Sequence, residues 1–168
     1  MIKKFNSLFV TMFGLGKIKT IPGTLGSLAT VIILYILFHG FNISSKLILL
    51  VLMIIFVYSF LAVAKHIENI KDKDPREIVI DEFVGQSIPI YLYEVSHGTE
   101  KTANEALIFY AICFLLFRFF DIKKPFPVSF IDKNYKNSFG VIMDDVCAGL
   151  YVVLSLICFM VLNSYFIK

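Results

Sequence analysis

Leu47–Ala64 reads LILLVLMIIFVYSFLAVA, a run without a single charge between Lys46 and Lys65. A helix needs about 20 predominantly apolar residues to cross the hydrocarbon of a bilayer, so this stretch is predicted to span one. Two other stretches match it. Residues 20–45 are uncharged, with their apolar part from Leu25 to Phe41, and residues 146–167 are uncharged between Asp145 and Lys168. The composition agrees: 58% of the 168 residues are hydrophobic and only 17% charged, with a mean hydropathy of +0.79. A soluble domain carries roughly 25% charged residues. This chain has too little polar surface to clothe a soluble core, and a membrane is its natural solvent.

The middle of the chain is less apolar. Residues 83–93 and 106–117 are uncharged but short. A helix as long as the first of these rises only about 16 Å. To cross, these helices must extend through Asp81 and Glu82 on one side and through Arg118 and Asp121 on the other. Charged groups so close to the membrane are costly and usually functional. The Lys and Arg counts between predicted spans run 4, 1, 4, 1, 5, 1, from Lys3, Lys4, Lys17 and Lys19 at the start to Lys168 at the end. By the positive-inside rule this alternation predicts a cytoplasmic N-terminus and five crossings. The alternative is that the middle pair forms a re-entrant hairpin, which Pro89 permits. Both arrangements return the chain to the same face. The expected fold is therefore an all-α, multi-pass bundle of about five helices forming one domain over residues 1–168. Met1–Gly16 lacks a small-residue cleavage site and is expected to lie at the interface as a partly amphipathic helix.

Several chemistries find no footing. Cys113, Cys147 and Cys158 sit in apolar runs without metal-ligand spacing, and His39, His66 and His97 are scattered. The basic residues are spread over several loops, which argues against a nucleic-acid partner.

Four polar clusters remain, and the predicted topology puts all of them, with all seven aspartates, on the cytoplasmic side. The first is Gly14–Ser27, GLGKIKTIPGTLGS, running into a span. Gly23 lets backbone N–H groups approach an anion, and Thr24 or Ser27 can cap the following helix. The second is Ile80–Gly85, IDEFVG. Its adjacent carboxylates repel unless a cation shares them, and Mg²⁺ uses carboxylate oxygens in this way. The third is Phe117–Pro127, FRFFDIKKPFP. Here Asp121 and Lys124 share a face if the helix continues that far, so one can bind metal and the other a phosphate oxygen. The fourth is Gly140–Gly149, GVIMDDVCAG, in which Asp144 and Asp145 open an apolar run and Gly149 allows close helix packing. Each cluster alone has an ordinary structural explanation, as a cap, a helix-dipole partner or an interfacial ion pair. Their coincidence on one face is harder to explain that way.

Over nearly its whole length the chain resembles the phosphatidylglycerophosphatase A family, and these four motifs in this order carry the resemblance. The resemblance implies a Mg²⁺-dependent bacterial inner-membrane enzyme that dephosphorylates phosphatidylglycerophosphate, a phospholipid, to phosphatidylglycerol. It implies metal-binding roles for Asp81, Glu82, Asp121, Asp144 and Asp145, with Asp81, Asp121, Asp144 and Asp145 as catalytic residues. It implies substrate contacts at Gly23, Thr24, Ser27, Arg118 and Lys124. One stretch departs from the pattern: Lys136-Asn137-Ser138-Phe139 stands where relatives are glycine-rich. The expected chemistry is attack of a polarised water on phosphorus, with Asp145 or Asp81 as base, or else an aspartyl-phosphate route. A small transporter with a carboxylate cation site is the competing class, and it should distribute its carboxylates through the membrane depth. A purely structural membrane subunit is the third.

Overall fold

The structure is a computed structural model that describes residues 2–68, 75–97 and 102–166. Lys71, Lys73, Lys101 and Lys168, with Asp72 and Asp74, entered the charge pattern and lie outside the described residues. Those that are described form an all-α fold of seven helices: α1 (Ile2–Val10), α2 (Pro22–Tyr35), α3 (Ser45–Ile67), α4 (Ile80–His97), α5 (Ala103–Lys123), α6 (Val128–Asn134) and α7 (Ser138–Phe166). A wider π turn over Ile36–Gly40 prolongs α2.

Local chemistry sets the helix ends. Pro22 is the first residue of α2, where its missing N–H costs nothing. Thr24 and Ser27 were expected as caps, but they lie inside the helix. The Ser27 hydroxyl donates one turn back to the Gly23 carbonyl at 3.0 Å. A capping box opens α5: Thr102 Oγ1 accepts from Glu105 N–H at 3.3 Å, and Glu105 Oε2 accepts from Thr102 N–H at 2.8 Å. Asn137 starts α7, its Oδ1 accepting from Gly140 N–H at 3.1 Å. The segment that departed from the family's glycine-rich pattern is thus a side-chain cap. Helix α6 and the first turn of α7 fill the polar stretch between Pro127 and Val141. Val128, buried beneath it, gives that short amphipathic segment a reason to fold.

Among the described residues, three helices are long and apolar enough to cross a membrane: Pro22–Gly40, Ser45–Ile67 and Ser138–Tyr165, with mean hydropathies of 1.6, 3.0 and 2.3. Inside the protein, only 28%, 22% and 28% of their most apolar windows are buried. Most of each apolar surface therefore faces outward, as lipid solvation requires, and marks the chain as membrane-associated. The two middle helices differ. Phe83–Ser87 of α4 are all buried, so this part of α4 is central and walled by protein, while Leu92 and Val95 further along are exposed. The helix packs most extensively against α7, then α2. Pro89 does not break α4, which runs on to His97. Its partner α5 turns back alongside, with the Tyr93 and Phe109 rings stacked at 3.6 Å near the turn. The hairpin of α4 and α5 leaves one end of the bundle and returns to it.

Two glycines fix the crossing of α4 and α7. A Cβ on Gly149 would collide with the Gly85 carbonyl, and a Cβ on Gly85 would collide with the Asp145 carbonyl and the Phe117 ring. Pro89 has no N–H, so the Gly85 carbonyl lacks its usual helical donor. The Gly149 backbone packs against that same carbonyl, where a Cα–H···O contact is the available substitute. This contact draws Asp145 towards Asp81 and Glu82.

Candidate functional site

The four predicted motifs meet at one end of the bundle. Asp81 and Glu82 come from the first turn of α4, and Asp145 from the second turn of α7. Their carboxylate oxygens lie within 4.8 Å of one another. Asp81 and Asp145 are buried, at 7% and 4% exposure. The buried Glu82 Oε2 has no hydrogen-bond partner among the described residues. Three carboxylates at this separation repel strongly unless a proton or cation lies among them. Hard oxygen donors, close together and shielded from water, fit Mg²⁺ or a similar divalent ion.

Asp121 and Asp144, the other two expected metal ligands, stand in ion pairs next to this trio. Asp121 Oδ2 pairs with Arg118 Nη1 at 2.7 Å, one helical turn away. Asp144 Oδ2 pairs with Lys124 Nζ at 2.7 Å. Both aspartates stay within electrostatic reach of Asp145. In these pairs they hold two cations, Arg118 and Lys124.

Lys124 was expected to share a helix face with Asp121. Instead α5 ends at Lys123, and Lys124 takes a left-handed conformation at φ 43°. That turn redirects its side chain across to α7 and α6, where it meets Asp144 and also Asp132 Oδ1 at 2.9 Å. Burial would lower the lysine pKa, but Asp144 and then Asp132 outweigh burial and hold it above the ordinary value. Asp132 had no place in the sequence reading. Its only signal was the i,i+4 spacing to Lys136, which reads as an ordinary surface pair.

The glycine-rich segment arrives from the opposite side. Gly23 lies so close to Glu82 that a Cβ there would collide with Oε1, and Arg118 Nη1 would stand 3.4 Å from it. Arg118 also donates to the Ser27 hydroxyl at 3.4 Å. The first bond of this turn is Leu25 N–H to Ile21 O at 3.1 Å, so the Gly23 and Thr24 N–H groups come before it, as orphan donors of a helix N-terminus. Ile21 makes the entry possible with φ 50°, a strained angle for a β-branched residue. The site thus combines three convergent carboxylates, an aspartate-held guanidinium, an aspartate-held ammonium and a helix N-terminus. Such a set can bind a divalent cation and a tetrahedral anion side by side.

Sequence reading also missed Gln86, one turn beyond Glu82. It is fully buried, and neither its amide nitrogen nor its oxygen has a hydrogen-bond partner among the described residues. At the far end of α4 a second polar group forms: Glu94 Oε1 accepts from Tyr110 OH at 3.0 Å and lies 3.2 Å from His39 Nε2. It joins the ends of α2 and α4 to the start of α5, and none of the four motifs reaches it.

Comparison with known proteins agrees with the motifs. The sequence profile of Phosphatidylglycerophosphatase A matches residues 8–160. A Haemophilus influenzae protein named Phosphatidylglycerophosphatase A is 36% identical over 88% of this chain and 83% of its own. An Escherichia coli protein of the same name is 30% identical over 85% of this chain and 76% of its own. A Bacteroides thetaiotaomicron protein named "Putative phosphatidylinositol-3-phosphatase" is 35% identical over 86% of both chains. No solved structure matches this chain.

Proposed function

Because the chain belongs to the phosphatidylglycerophosphatase A family, a family of lipid phosphatases, we propose that it hydrolyses phosphatidylglycerophosphate to phosphatidylglycerol and phosphate, with Mg²⁺ held by Asp81, Glu82 and Asp145. The observation that carries this reading is the convergence of those three carboxylates within 4.8 Å, beside Arg118 and Lys124. A divalent ion bound there would neutralise phosphate charge and lower the pKa of a bound water.

The chain's own residues do the rest. Arg118, held by Asp121, and Lys124, held by Asp144 and Asp132, contact the equatorial oxygens of the phosphomonoester. They stabilise the charge that grows there in the transition state. The N–H groups of Gly23 and Thr24 take a further oxygen, and Ser27 steadies the guanidinium. A water attacks phosphorus, giving its proton to a carboxylate of the trio; Asp145 and Asp81 are the two candidates. The ester bond breaks on the opposite side, and the glycerol oxygen leaves as an alcohol once it takes up a proton. A transient phosphoryl group on an aspartate is the competing route, and trapping one would replace the direct attack.

The site is proposed to face the cytoplasm. The described basic residues Lys17, Lys19, Arg76, Lys123, Lys124, Lys133 and Lys136 belong to the segments leading into and out of it, which suits the positive-inside rule. A transporter fits less well, because its carboxylates should line the depth of the bundle, whereas five of these gather at one end. One assay tests both orientation and head group. Sealed inside-out vesicles should release phosphate from short-chain phosphatidylglycerophosphate added outside, and right-side-out vesicles should not. The reverse pattern would contradict the orientation. Faster release from phosphatidylinositol 3-phosphate would reassign the head group.

A further inference from the structure

An apolar groove of about 310 Å³ lies between α3 and α4, walled by Leu49, Met53, Phe83, Ile88, Leu92 and Val146 among others. We propose that it binds one acyl chain of the lipid phosphate whose head group occupies the acidic site. This rests on the lipid-phosphatase reading and adds a subsite to it.

Position singles this groove out. Two of its walls, Phe83 and Val146, are the chain neighbours of Glu82 and Asp145, so the groove begins within one residue of the acidic trio on both helices. Phe83 also borders two other apolar grooves, of about 480 Å³ and 260 Å³. Neither of those takes a wall from α7, whereas this one draws on both helices that supply the trio. Its length fits as well. From Phe83 to Leu92 α4 rises about 14 Å, close to half of the roughly 30 Å hydrocarbon core. That is the depth of one leaflet, the distance an acyl chain descends from a head group at the interface.

The chemistry of the walls agrees. Ser87 and Tyr91 bring the hydroxyl groups in the lining, and that of Ser87 is already spent on the Phe83 carbonyl at 2.6 Å. Leu49, Met53 and Leu92 are 42%, 51% and 44% exposed, so the groove opens sideways towards lipid. A chain can slide in from the leaflet while its head group stays at the interface. Burying methylenes against these walls would hold a long-chain substrate better than a short-chain one.

Two measurements test the subsite. Met53→Trp and Leu49→Trp fill the groove from half-exposed positions that the fold tolerates. Purified variants should lose on the order of tenfold in kcat/KM for dioleoyl phosphatidylglycerophosphate relative to the dihexanoyl form. An equal change on both substrates, or none, would overturn the proposal. Independently of turnover, phosphatidylglycerophosphate with a diazirine on one acyl chain should label residues 49–53 and 88–92 more strongly than phosphatidylcholine carrying the same chain. Equal labelling would mean bulk lipid only and would also overturn it. A wild-type protein that releases no phosphate yet shows head-group-dependent labelling would refute the phosphatase reading and uphold the groove.

Discussion

Gln86 is the residue least at ease in this structure. A buried amide with no partner costs roughly 1–3 kcal/mol, whereas an apolar side chain of the same shape costs almost nothing. Gln86→Met should therefore leave thermal stability unchanged or raise it by about 1 kcal/mol. Thermal denaturation in detergent or nanodiscs would measure this. A loss of stability would show that the amide has a partner in the folded protein, such as a buried water. Sequence reading could not find Gln86, because nothing in the pattern IDEFVGQ says which residues of the turn face inward. The carboxylates were legible, since adjacent acidic residues at the mouth of an apolar run are unusual. Their pairing was not. Spacing suggested Asp121 with Lys124, but the left-handed turn at Lys124 sends its ammonium to Asp144 and Asp132 and leaves Asp121 to Arg118. Residue spacing reports a helix face only while the helix lasts.

At the scale of elements, the crossing of α4 and α7 decides whether a site exists. The Gly85 and Gly149 backbones touch, and this brings carboxylates from two helices within reach of one ion. Gly149→Ala places a methyl group against the Gly85 carbonyl, and the helices must separate to admit it. Overpacking of this kind costs about 1–3 kcal/mol, and a displacement near 1 Å in a catalytic constellation costs on the order of 10²-fold in rate. The variant should fold with a lowered Tm and lose activity by about that factor. Gly40→Ala is the comparison: its Cβ would meet the Ile36 side chain at an ordinary 3.5 Å, and activity should be unaffected. Equal activity of Gly149→Ala and wild type would show that the crossing does not position the trio. Gly149 was readable as a packing glycine. Its partner was not, because Pro89, the residue that frees the Gly85 carbonyl, pointed only to a possible re-entrant hairpin and not to a contact. The short helix α6 escaped notice because one turn of buried Val128 leaves too little periodicity to detect.

For the whole molecule, the long charge-free runs were enough to find α2, α3 and α7, since lipid-facing helices must be apolar on most sides. Helix α4 was harder to place for the opposite reason. Enclosed by its neighbours over its first turns, it needs no continuous apolar surface there and can carry Asp81, Glu82 and Gln86. On the proposed function, a lipid phosphate is cleaved with a divalent cation at this enclosed acidic centre and not along a distributed ion path. Phosphate release from phosphatidylglycerophosphate by the purified protein tests it most directly, with Mg²⁺, with EDTA, with Mg²⁺ restored, and with Asp145→Asn checked for folding by its melting transition. EDTA should abolish the activity and Mg²⁺ restore it, and a folded Asp145→Asn variant should be reduced at least about 10²-fold. Full activity in chelator, or a folded Asp145→Asn variant as fast as wild type, would contradict the proposed function.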